Sequence, residues 1–73
     1  MRLKATLGAN IRRLRKAAGL SQEALAGKVG IDMRYLGGIE RRQENPTIEI
    51  LEGIAKELGV HVSTLMVEGR TKP

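Results

Sequence analysis

The chain has 73 residues, with 13 Lys or Arg against 8 Asp or Glu for a net charge of +5, no Cys, and Tyr35 as its one aromatic side chain. A chain this short supports one hydrophobic core, so residues 1 to 73 are expected to form a single domain, with its core at about 6 to 67 and a frayed tail at about 69 to 73. Without Cys there are no disulfides or thiolate metal sites; without an apolar run of 18 residues or an unbroken apolar leader, neither a membrane helix nor a secretory signal is expected, which leaves a cytoplasmic setting.

Leu3, Leu7, Ile11, Leu14 and Ala18 recur at steps of three and four, which predicts a helix from about residue 3 or 6 to residue 18, ended by Gly19. Ser21 supplies a capping oxygen for a second, two-turn helix over Gln22 to Val29, with Leu25, Ala26 and Val29 inward and Gly30 as its stop. Asp32 is the next cap, and a third helix is expected from about Met33 to Arg41, with Leu36 and Ile39 inward and Tyr35 at the margin.

The stretch from Arg41 to Pro46 reads as a loop because Pro46 biases Asn45 away from helical geometry. Thr47 then caps a fourth helix whose inner face holds Ile48, Leu51, Ile54, Ala55 and Leu58, and Gly59 closes it. A short fifth helix from about Val62 to Val67 follows, with His61 where a stronger cap is usual. The expected fold is all-α, a compact bundle of five helices.

Charge is divided unevenly along these elements. Residues 1 to 42 hold ten basic and three acidic side chains, a balance of +7, whereas residues 43 to 73 hold three and five, a balance of −2. Taken alone, the basic half fits a surface for a polyanion or an ordinary solvated face equally well. Spacing separates the two. With Gln22 as position one, Leu25, Val29, Ile31, Leu36 and Ile39 fall at positions four, eight, ten, fifteen and eighteen, with Ala26 at five and Gly30 at nine. Two short helices that cross closely need a small residue where they touch, and the tight turn between them needs a positive φ. That pattern is a helix-turn-helix unit over Gln22 to Arg41.

The blocks Leu7-Gly8, Ile11 to Arg15, Gly19 to Glu23, Leu25-Ala26, Gly30, Tyr35-Leu36, Ile39 to Arg41, Asn45 to Thr47 and Ala55 to Val60 stand in one order. In these the chain resembles the lambda-repressor/Cro-like, or xenobiotic-response-element, family of helix-turn-helix domains over about residues 7 to 66. The resemblance implies a sequence-specific DNA-binding transcriptional regulator. It implies a phosphate contact from Gln22 at the start of helix two, and entry of Met33 and Arg34 into the major groove. Arg34 is then placed to grip a guanine and Met33 to meet a thymine methyl. Arg41, Arg42, Gln43 and Asn45 fall along the phosphate backbone, and Arg15 and Glu40 match a family ion pair that orients the reading helix. Tyr35 is either a packing residue or a DNA contact.

Family members often carry a polar reader or a Ser near positions 37 and 38, where this chain has Gly37-Gly38. Bare backbone there either admits DNA closely or simply forgoes a contact. Arg12, Arg13 and Lys16 form either a solvated face or further phosphate contacts, and the lone His61 reads as a capping or surface residue. One reading helix covers few base pairs, so a homodimer on a palindromic operator is expected, with Val60, Val62, Leu65, Met66 and Val67 as its interface. The alternative class is a helical protein-interaction module or antitoxin-type component. With one His, no phosphate loop after a strand and no paired acids in an apolar setting, no enzyme activity, cofactor, metal or small-molecule substrate is expected.

Overall fold

In a computed structural model describing residues 2 to 68, the periodic segments become α1 (Arg2–Ala17), α2 (Gln22–Val29), α3 (Met33–Glu40), α4 (Ile48–Leu58) and α5 (Val62–Met66). There is no strand among the described residues. The tail expected to fray, residues 69 to 73, lies outside them. Three of these helices have eight residues or fewer, too short to persist alone, so packing of their apolar faces holds them. Leu7 and Ile11 of α1, Leu25 and Ala26 of α2, and Leu36 and Ile39 of α3 meet Leu51, Ile54 and Ala55 of α4 and Leu65 of α5 in one buried cluster. Each large side chain among them contributes about 1.5 to 3 kcal/mol by leaving water. α1 packs on α3 and α5, α2 on α3 and α4, and α4 on α5.

The helix ends follow the expected capping chemistry. Ser21 Oγ accepts from the Ala24 N–H at 3.0 Å, Asp32 Oδ1 from Arg34 N–H at 2.7 Å and Thr47 Oγ1 from Ile50 N–H at 3.2 Å. Gly30 and Gly59 close α2 and α4 in left-handed geometry, at φ 86° and 73°. His61 does cap α5: its Nδ1 accepts from Ser63 N–H at 3.1 Å.

Several expectations need correction. Leu65 is fully buried within the chain, so it cannot form a dimer surface; it is the side chain that fastens α5 to the core. Leu3 and Ile48, expected inward, are 42% and 49% exposed, because each lies in the first turn of its helix, at the edge of the core. Ala18 is exposed in the turn after α1, and α3 ends at Glu40 rather than Arg41.

Asn10 is a buried polar residue that periodicity did not single out. Its Nδ2 donates to the carbonyls of Leu65 at 2.9 Å and Val67 at 2.7 Å, so the middle of α1 satisfies orphan acceptors at the end of α5. Its Oδ1 in turn accepts from Arg13 Nη2 at 3.2 Å. A five-residue helix is thereby held by one apolar and one polar anchor.

Candidate nucleic-acid interface

α2 and α3 are joined by a turn that leaves little freedom. The N–H groups of Gly30 and Ile31 both donate to the Ala26 carbonyl, at 2.8 and 3.0 Å, with Ala26 itself buried at the helix contact. Asp32 then starts α3, and the first two side chains of that helix project outward. Met33 is 45% exposed, and the Arg34 side chain is 91% exposed, its Nε resting 3.9 Å from Asp32 Oδ1. At that exposure the contact holds the guanidinium only loosely. Tyr35 is half-buried and packs against the core cluster.

Behind these residues lies a buried polar network. Arg15 Nε donates to Glu40 Oε2 at 2.8 Å and Nη2 to Oε1 at 3.1 Å, while Nη1 donates to the Leu20 carbonyl at 2.8 Å. Gln22 Nε2 adds a further bond to Glu40 Oε1 at 3.0 Å. Burial pushes the Glu40 carboxyl up, but the hydrogen bonds from Arg15 and Gln22 and the positive charges of Arg15 and Arg12 outweigh it and hold the group below its ordinary value. One carboxylate thus ties together α1, the start of α2 and the end of α3. The Gln22 amide nitrogen, expected at a phosphate, is engaged in this internal network instead.

α1 approaches α3 closely at Gly8. A Cβ there would lie 2.7 Å from the carbonyl oxygens of both Ile39 and Glu40, so only glycine fits. In the sequence this position stood only within the Leu7-Gly8 block of the resemblance, and a glycine inside a helical pattern often marks such a close contact.

Past Glu40 the chain reverses sharply. Arg42 takes a left-handed conformation at φ 67°, and Gln43 N–H donates back to the Gly38 carbonyl at 2.8 Å. A non-glycine residue in that region is unusual. Arg41, Arg42, Gln43 and Asn45 are all exposed, and Arg41 Nε donates to Gln43 Oε1 at 3.3 Å. Asn45 borders an apolar groove of about 390 Å³ between Leu3, Leu7, Ile48 and Met66, which none of the other candidate contact residues lines.

Gly37 and Gly38 are not open gaps. A Cβ at Gly37 would meet Arg41 Nη1 at 3.0 Å and Gln22 Oε1 at 3.4 Å, and one at Gly38 would meet Glu44 Cγ at 2.7 Å. Neighbouring side chains cover both. Among the described residues there is no group of three His, Cys, Asp or Glu that could hold a metal ion, and no helix long and apolar enough to cross a membrane.

Comparison with known proteins places this geometry among others like it. The helix-turn-helix family model matches residues 11–65. The immunity repressor of Bacillus phage phi105 is 40% identical over 63 residues; the match takes in 86% of this chain, which spans only 44% of that repressor's length. The crystal structure of a hypothetical transcription factor from Neisseria superposes with a TM-score of 0.87 at 36% identity, covering 90% of this chain and 76% of that one. The structure of SinR, a master regulator of biofilm formation, in complex with DNA superposes with a TM-score of 0.80 at 40% identity, covering 84% of this chain and 98% of that one.

Proposed function

The chain belongs to the helix-turn-helix family of transcriptional regulators, and from that membership we propose that it binds double-stranded DNA sequence-specifically, with α3 in the major groove. The observation that carries this is Arg34: a guanidinium with its side chain 91% exposed, on the second residue of a helix whose cap and rear contacts are all fixed. Its planar donor fork matches the O6 and N7 acceptors of guanine. Met33 beside it offers apolar contact to a thymine methyl. Arg41, Arg42, Gln43 and Asn45 follow the phosphate backbone, and the first turn of α2 at Gln22 offers backbone N–H groups to a phosphate. Tyr35 supports α3 from its margin. A SinR structure solved in complex with DNA, at 40% identity, supports DNA binding by this fold.

The functional form is a homodimer on a palindromic operator, since two reading helices one helical turn of DNA apart supply the specificity that one cannot. Val67, 62% exposed, with the partly buried Val60, Val62 and Met66, forms the apolar face for the second copy, while Leu65 supports it from within. Such a regulator works in the cytoplasm, with no cofactor or small-molecule substrate.

A salt titration on DNA enriched from a random pool tests the proposal. Binding weakens log-linearly with salt if several phosphates are contacted. Affinity insensitive to salt contradicts it and favours a protein-interaction module.

A further inference from the structure

At about 100° per residue, Arg34, Gly37 and Gly38 share the side of α3 opposite Leu36 and Ile39, and Arg41, its C-cap, follows; the two glycines are buried only under neighbouring side chains. This is the side that faces the groove in the DNA-binding mode proposed above, on which the following inference rests. Its middle carries no side chain of its own. Over Gly38 lies Glu44, with Cγ 2.7 Å, Cδ 3.6 Å and Oε2 3.5 Å from the point where a residue-38 Cβ would stand.

We propose that Glu44 is a base reader, a carboxylate delivered from the loop after α3 onto the bare backbone at Gly38 to recognise the exocyclic amino group of a cytosine. Its stem fills the space a side chain at position 38 would take, with the carboxylate within 3.6 Å of that Cβ point. Any larger residue at 38 displaces it. Glycine inside a helix is unfavourable relative to alanine, and here its bareness has a use. The loop is held for the purpose: Arg42 turns the chain back in left-handed geometry, and Gln43 N–H is fastened to the carbonyl of Gly38 itself, one residue before Glu44.

Chemistry selects the base. A carboxylate only accepts hydrogen bonds, and among phosphates it is repelled unless it meets a donor. In the major groove, adenine and cytosine present amino donors. The adenine donor stands beside the N7 acceptor of the same base, which repels a carboxylate; the cytosine N4 amino group has no such neighbour on its own base. Glu44 therefore favours a C·G pair at one position in each half-site, separate from the guanine gripped by Arg34.

Selection of bound sequences from a random double-stranded pool, followed by titration, distinguishes the outcomes for the whole chain and for Glu44→Ala, Glu44→Gln and Gly38→Ala. The wild type is expected to enrich a cytosine at this position. Glu44→Ala loses that preference, about tenfold in relative affinity, while the preference assigned to Arg34 stays. Glu44→Gln moves the choice towards adenine, whose N6 and N7 suit an amide. Gly38→Ala repeats the Glu44→Ala result by displacing the stem; because Glu44→Ala leaves α3 untouched, the test does not depend on how Gly38→Ala folds. An enriched wild-type consensus that Glu44→Ala leaves unchanged, even with a uniform gain in affinity, overturns the assignment of Glu44 alone. A wild type that enriches nothing overturns the regulator itself.

Discussion

Arg15 of α1 grips Glu40 at the end of α3 with two hydrogen bonds of 2.8 and 3.1 Å, the two side chains only 8% and 2% exposed. The same guanidinium holds the Leu20 carbonyl, and the same carboxylate receives Gln22. The pair therefore fixes both helices of the helix-turn-helix unit to α1. A buried pair is weak evidence of net stability, because desolvation offsets most of its attraction; its consequence is geometric, in aiming α3 and the exposed Arg34.

Breaking the pair on one side should be worse than replacing both partners. Arg15→Met or Glu40→Met alone strands a buried charge and is expected to lower unfolding free energy by about 3 to 5 kcal/mol. The double Met variant should recover much of that loss. Urea unfolding of the four proteins reads the cycle, and a double variant as unstable as the sum of the singles contradicts it.

The Glu40 carboxyl also sets a pH dependence. Because folding holds it below its ordinary value, its stabilising contribution is present above the unfolded glutamate range and is lost as pH falls through the folded one. Thermal unfolding from neutral pH to about pH 3 is expected to show a steeper acid loss for the wild type than for Glu40→Gln. Parallel curves would show that other carboxylates dominate.

Two glycines should respond to alanine with opposite signs. At Gly8 the new methyl meets two carbonyl oxygens at 2.7 Å, so Gly8→Ala is expected to destabilise by about 1 to 3 kcal/mol and to disturb the seat of α3. At Gly27, inside α2, nothing lies within 4 Å, so Gly27→Ala should stabilise by about 0.4 to 1 kcal/mol. Thermal or urea midpoints for both variants decide this.

Arg42 occupies a left-handed position that glycine takes more readily. Arg42→Gly is expected to raise stability by about 1 kcal/mol while weakening DNA binding and reducing its salt slope by about one. Stability gained with affinity unchanged would show that Arg42 touches no phosphate.

Much of the fold was legible because its signals are local. Ser21, Asp32, Thr47, Gly30 and Gly59 mark helix ends by their own chemistry, and the spacing from Leu25 to Ile39 needs no knowledge of the rest of the chain. What was missed depends on distant partners. Periodicity places Leu65 on an apolar stripe but does not say whether that stripe meets this chain or another. Asn10 acts on carbonyls 55 and 57 residues away, and Gly8 answers to the end of α3. Gly37-Gly38 looked empty because the side chains that cover it come from Gln22, Arg41 and Glu44.

The most direct test of α3 as the reading helix is the pairing of Arg34 with a guanine. Wild type and Arg34→Ala would be titrated against an enriched operator and against the same operator with that guanine replaced. The expected result is a wild-type loss of about 1 to 3 kcal/mol on replacing the base, with Arg34→Ala binding both DNAs equally. Equal discrimination by the two proteins would contradict the assignment and move the reading of sequence away from Arg34.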